Sequence, residues 1–74
     1  MPISEKQKHD IENRFSYHSP KHGQQERYTK ITEAYKQLAL TIADLTPESR
    51  EQSIALTHLW ESRMAANGSI AVNE

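Results

Sequence analysis

Between Arg14 and Lys30 the chain places four cations, Arg14, Lys21, Arg27 and Lys30, against the single acid Glu26, and threads Phe15, Tyr17 and Tyr28 among them. The whole chain has a formal net charge of −1, so this basicity is local. Cations attract phosphate and aromatic faces stack on bases, so the combination suits a nucleotide-like ligand. Pro20 and Gly23 mark a loop in the middle of the segment. Tyr17, beside His18 and Pro20, falls after the preceding apolar pattern ends, which makes it the candidate stacking ring; the other reading is that it closes the loop over the core. Lys21 sits just ahead of a helix start near Gln24, whose first-turn N–H groups would add an anion-attracting end. The plain alternative is a solvated loop carrying ordinary surface charge.

Other chemistries find little support. The chain has no Cys, so neither a disulfide nor a Cys-based zinc site is available. His18 and His22 stand four apart, but Pro20 between them keeps them off a common helix face, and no metal site is expected. Asp10, Glu12, Glu48 and Glu51 fall on helix faces or near helix starts, where solvated carboxylates are usual. No base lies within sequence reach of a nucleophile in a catalytic pattern. The chain therefore reads as a binding protein rather than an enzyme, with no cofactor. Arg50 and Ser53, one helix turn apart, form a weaker candidate anion contact.

Three helices must position these residues. The first is predicted from Ser4 to Phe15, opened by a Ser4/Gln7 capping box, with Ile11 and Phe15 as its thin apolar face. The second is predicted from Gln24 to Asp44. Its stripe of Tyr28, Ile31, Tyr35, Leu38, Ile42 and Leu45 follows a heptad-like rhythm, which assigns Tyr28 to the core. Thr46 is predicted to cap the third helix, with Pro47 at its first position. Ile54, Leu56, Leu59, Trp60 and Met64, with Ser53 and Thr57, would form its packing face. Asn67 reads as its end and Gly68 as a C-cap, with Ile70, Ala71 and Val72 either extending it or packing as a tail. The short connection makes the second and third helices antiparallel neighbours. The fold class is all-α: a small three-helix subunit with an antiparallel hairpin, one domain spanning residues 1–74.

At 74 residues the subunit is marginal alone, because a chain this short buries only about 60% of its unfolded surface. Without disulfides or metal, oligomerisation is the remaining supplement. The N-terminal Met-Pro-Ile-Ser-Glu-Lys lacks the apolar core of a signal peptide, and no run reaches the roughly 18 apolar residues of a membrane span. Near-neutral charge argues against a DNA or RNA polymer as partner but is compatible with a small anion.

Arg-Phe-Ser-Tyr-His-Ser-Pro-Lys at 14–21, Gln-Glu-Arg-Tyr at 25–28, Ser-Arg-Glu-Gln-Ser-Ile-Ala-Leu-Thr at 49–57, Asn67-Gly-Ser-Ile-Ala and the closing Asn73-Glu74 together resemble the phage anti-CBASS cyclic-nucleotide sponge family, anti-CBASS protein two. The resemblance covers about residues 11 to 74. It implies a helical subunit assembled into a homo-hexamer that binds cyclic dinucleotides such as cyclic GMP-AMP without hydrolysis, in the cytoplasm of the infected bacterium. Sequestered messenger cannot reach its CBASS effector. Family members bind dinucleotides between paired subunits, and some bind cyclic trinucleotides in a separate pocket shared by three. Site residues implied here are Tyr17, His18, Pro20, Lys21 and Arg27, with Lys30 and Thr32 as alternatives to Lys21 and Arg27, and Asn67 on the trinucleotide side. Two positions depart from the family pattern: Ala65 stands where Trp is usual, and Val72 where Arg is usual. Losing a charge-assisted phosphate contact predicts weak or absent trinucleotide binding.

A twofold interface presents every residue twice. One Tyr17 and one Lys21 per chain would thus supply two rings and two cations to a ligand with two bases and two phosphates. The competing reading is a helical protein–protein interaction module without a nucleotide ligand. A helix-turn-helix DNA binder is disfavoured by Glu48 and Glu51 at the opening of the third helix.

Overall fold

The computed structural model describes residues 2–74; Met1, the first residue of the stretch examined for a signal peptide, lies outside them. The described residues form three helices and no strand: α1 (Glu5–Arg14), α2 (Gln24–Leu45) and α3 (Arg50–Asn73). None is long and apolar enough to cross a membrane.

α1 starts where its capping box predicts. Ser4 Oγ accepts from Gln7 N–H at 3.1 Å, and Gln7 Oε1 accepts from Ser4 N–H at 3.1 Å. Phe15 closes the helix with its N–H on the Ile11 carbonyl. Gly23 precedes α2 at φ 81°, a left-handed conformation that suits a residue without Cβ. It offers no side-chain cap. Gln24 compensates: its side-chain oxygen accepts from Lys21 N–H at 2.9 Å, while its own N–H donates to the Lys21 carbonyl at 3.0 Å.

The α2–α3 turn differs from the expectation. Thr46 ends α2 rather than opening α3. It is extended at ψ 150°, as a residue before proline tends to be, and its hydroxyl donates to the Ile42 carbonyl at 2.7 Å. Ser49 is the N-cap of α3, accepting from Gln52 N–H at 3.1 Å. The Gln52 amide then reaches back to the Thr46 carbonyl and hydroxyl, both at 3.0 Å, and stitches the turn. At its far end α3 runs through Asn67 and Gly68 to Asn73, so neither ends it; the Ile70–Val72 segment extends the helix.

α2 and α3 pack as the predicted antiparallel hairpin. On α2 the half-buried seam is Tyr28, Ile31, Tyr35, Ala39 and Ile42, while Leu38 and Leu45 face outward. On α3 it is Gln52, Leu56, Leu59, Arg63, Ala66 and the buried Ile70. Tyr35 and Ser62 hydroxyls join the helices at 2.6 Å. Ile54, Trp60 and Met64, predicted for the packing face, are exposed; they lie round the helix from the seam. α3 therefore carries a second apolar stripe that none of the described residues covers.

Ile11 and Phe15, the apolar face predicted for α1, are exposed, Phe15 at 86%. α1 extends away from the hairpin, giving a slab of 48 × 38 × 13 Å, about one helix diameter thick. A single layer cannot enclose an interior. Only Ile70 and Gln24 are buried among the described residues, and neither completely.

Candidate functional site

The loop between α1 and α2, residues 15–23, carries the Tyr17 ring at 86% exposure. His18 is half-buried, its Nε2 hydrogen-bonded to the Asn13 carbonyl at 2.7 Å. The Asn13 side chain in turn donates to the Val72 carbonyl on the last turn of α3 at 3.1 Å. These bonds join α1 and the loop to the hairpin. Pro20 and Thr32 line one open hollow of about 480 Å³, shared with Gln25, Tyr28, Thr29 and Glu33. The sequence expectation that Tyr28 belongs to the α2 stripe holds: it is half-buried beside this hollow.

Lys21 and Arg27 come together, but on a protein anion. The Arg27 guanidinium makes a two-pronged ion pair with the Glu74 carboxylate at 2.7 and 2.8 Å, and the Lys21 ammonium donates to the Glu74 main-chain oxygen. The Arg27 hydrogen bond holds the Glu74 carboxyl below its ordinary range, with the Gln24 side chain and the Lys21 charge adding to the effect. The same pairing raises Arg27. An acid therefore occupies the cationic end of α2, where an anion is favoured. Glu74 escaped the sequence reading as a site residue, since only the fold brings position 74 to position 27. Lys30 is held more lightly, 3.6 Å from Glu26 one turn earlier, with both side chains about three-quarters exposed.

Asn67 stands apart from this group, on the half-buried side of α3. Its Oδ1 is buried and has no hydrogen-bond partner among the described residues. Ala65 and Val72, the two departures from the family pattern, line a different hollow of about 520 Å³ with Arg14, Met64, Gly68, Ser69 and Asn73. A third hollow, lined by Arg50, Ser53, Ile54, Thr57 and His58, confirms that Arg50 and Ser53 share a face but brings no further cation to them. No cluster of His, Cys, Asp or Glu among the described residues is arranged to hold a metal ion.

Three helices, the last two closed as a long antiparallel hairpin and the loop before them projecting a ring into solvent, define a small helical hairpin protein. More particularly, the chain belongs to the Acb2/Tad1 family: the model of the Acb2/Tad1 hairpin domain matches residues 7–71. This is the anti-CBASS protein 2 and anti-Thoeris family, whose members are sequestering proteins rather than enzymes. No curated protein and no solved structure matches the chain significantly.

Proposed function

We propose that this protein is a phage sponge for cyclic dinucleotides, acting in the cytoplasm of the infected bacterium by binding the messenger intact. The observation that carries the reading is Tyr17: the loop holds its ring almost wholly in solvent, in a stretch whose sequence also carries Arg14 and Lys21. Exposed aromatic faces beside cations recognise bases and phosphates together.

The ligand site is completed by a second copy. A compact monomer of 8.5 kDa exposes about 4,700 Å², whereas this chain exposes 6256 Å². Its radius of gyration is 16.3 Å, against about 11 Å for a compact chain of this length. The excess surface matches what about two standard interfaces would remove from one subunit, at about 800 Å² each. Exposed Ile11, Phe15, Ile54, Trp60 and Met64 supply the apolar part. A hexamer with paired subunits around each dinucleotide accommodates all of this, with Tyr17, His18, Pro20, Lys30 and Thr32 toward the ligand and Lys21 and Arg27 behind them.

Cyclic trinucleotides are bound weakly or not at all. Val72 offers no phosphate contact, and Asn67 and Val72 do not line the same hollow. A thermal-shift panel of cyclic di- and trinucleotides tests the whole reading, because a ligand that binds only the folded state raises the melting temperature. Cyclic GMP-AMP is expected to stabilise and cyclic tri-adenylate is not; recovery of intact cyclic GMP-AMP after heating the complex separates sequestration from cleavage. Absence of a shift with every cyclic dinucleotide sinks the sponge reading and leaves the interaction module.

A further inference from the structure

The loop that carries Tyr17 has almost no apolar packing of its own, since Phe15 and Tyr17 both project into solvent. Polar tethers fix its position instead, and most lead to the last turn of α3. Asn13 reaches Val72, and Lys21 reaches the Glu74 main chain; the Arg27 fork, from the first turn of α2, closes on the Glu74 carboxylate and so holds that main chain where Lys21 meets it. Behind Lys21 the buried Gln24 takes its N–H. Glu74 is thus the point where the loop, the start of α2 and the end of α3 meet.

We propose that Glu74 is a positioning residue for the nucleotide loop, holding Lys21 and Arg27 against the end of α3 so that Tyr17 is presented ready for ligand. The inference rests on the sponge reading for its functional consequence. Its physical basis is independent. Ordering a loop costs conformational entropy, and a ligand that must order the loop itself binds with an affinity reduced by the fraction of chains already in place. A planar guanidinium meeting a carboxylate with two parallel bonds fixes orientation as well as distance, which a single ammonium contact does not. The pair is half exposed, at 51% and 43% for the two side chains, so the clamp is modest in strength and its effect is one of presentation.

The test uses the full-length protein and cyclic GMP-AMP. Calorimetric titration is combined with hydrogen exchange at the Lys21 and Gln24 amides in the absence of ligand. Glu74→Ala is expected to speed exchange at both amides and to weaken binding about fivefold with the oligomer unchanged. The swapped pair, Arg27→Glu with Glu74→Arg, is expected to restore both. If exchange is unaffected by Glu74→Ala, the clamp does not exist. If Glu74→Ala binds more tightly, the carboxylate competes with the ligand for the cations and the proposal is overturned. If the swap restores exchange but not affinity, Arg27 touches ligand directly and the positioning role is likewise overturned. Wild-type protein that binds no cyclic dinucleotide sinks the sponge reading and this consequence with it; intact wild-type binding with an indifferent Glu74→Ala sinks only the clamp.

Discussion

The α2–α3 hairpin and the α1 arm with its loop are held by different forces. The hairpin is zipped by a regular apolar seam from Tyr28 to Ile42 against Gln52 to Ile70. Its burial is continuous along the helices. The arm has no such seam. Its apolar residues face outward, and hydrogen bonds from Asn13 and Lys21 to the last turn of α3, which Arg27 of α2 also grips, set its position. The contrast teaches that the apolar seam and the exposed ring of this chain sit on differently anchored elements. The packed element is the hairpin, and the element that carries the candidate ring is attached to it by polar clips.

The sharpest test of this division is Tyr17→Ala. Stacking is worth about 1–3 kcal/mol per base, and a twofold site loses two rings at once, so tight binding of cyclic GMP-AMP should disappear in a titration. The oligomer and the melting temperature should stay as they are; a mutant that binds as well as wild type displaces the site from this loop. On the hairpin side, Leu59→Ala removes half-buried seam volume and should cost about 2 kcal/mol of unfolding free energy by denaturant titration. Trp60→Ala, one residue further along, should leave the hairpin's helicity intact and weaken assembly in sedimentation experiments. Equal effects of the two on assembly would erase the distinction between the seam and the free stripe of α3.

Smaller effects probe the joint between the regions. Gly23→Ala forces a Cβ into the left-handed region and should cost about 1 kcal/mol, read as a lower melting temperature. Acid should loosen the arm before the hairpin. The folded-state pKa of Glu74 lies below its unfolded value, so its contribution is complete above about pH 4.3 and is lost as pH falls through the lower folded value. The charged groups facing it are Arg27, whose pKa the pairing raises, and Lys21. The Lys21 amide resonance should follow this titration in wild type and not in Glu74→Gln. A wild-type resonance indifferent to acid would remove Glu74 from the joint.

Much of the hairpin was legible because its signals are local. The Ser4/Gln7 box fixed the start of α1, and the spacing of Tyr28, Ile31, Tyr35 and Ile42 fixed α2. The start of α3 was misplaced because Thr46-Pro47 and Ser49 both resemble helix openings; the extended bias before proline and the Gln52 stitch favour Ser49. Gly68 resembled a stop, yet a helical glycine costs only about 1 kcal/mol against alanine, too little to end a helix whose following turn packs through Ile70. The α3 packing face was partly misread because two apolar stripes lie on that helix, and periodicity says that a stripe exists without saying what covers it.

The sequence by itself determined the helical class, the cationic and aromatic loop, the absence of disulfide chemistry and the likeness to cyclic-nucleotide sponges, since each rests on residue identity and short spacing. The tertiary structure decided what contacts cross long intervals of chain. It selected Leu56 and Leu59 over Trp60 for the seam, left the Tyr17 ring in solvent, buried the Asn67 oxygen without a partner and brought Glu74 onto Arg27. Such pairings depend on how two helices of different length close on each other, which no window along the chain contains.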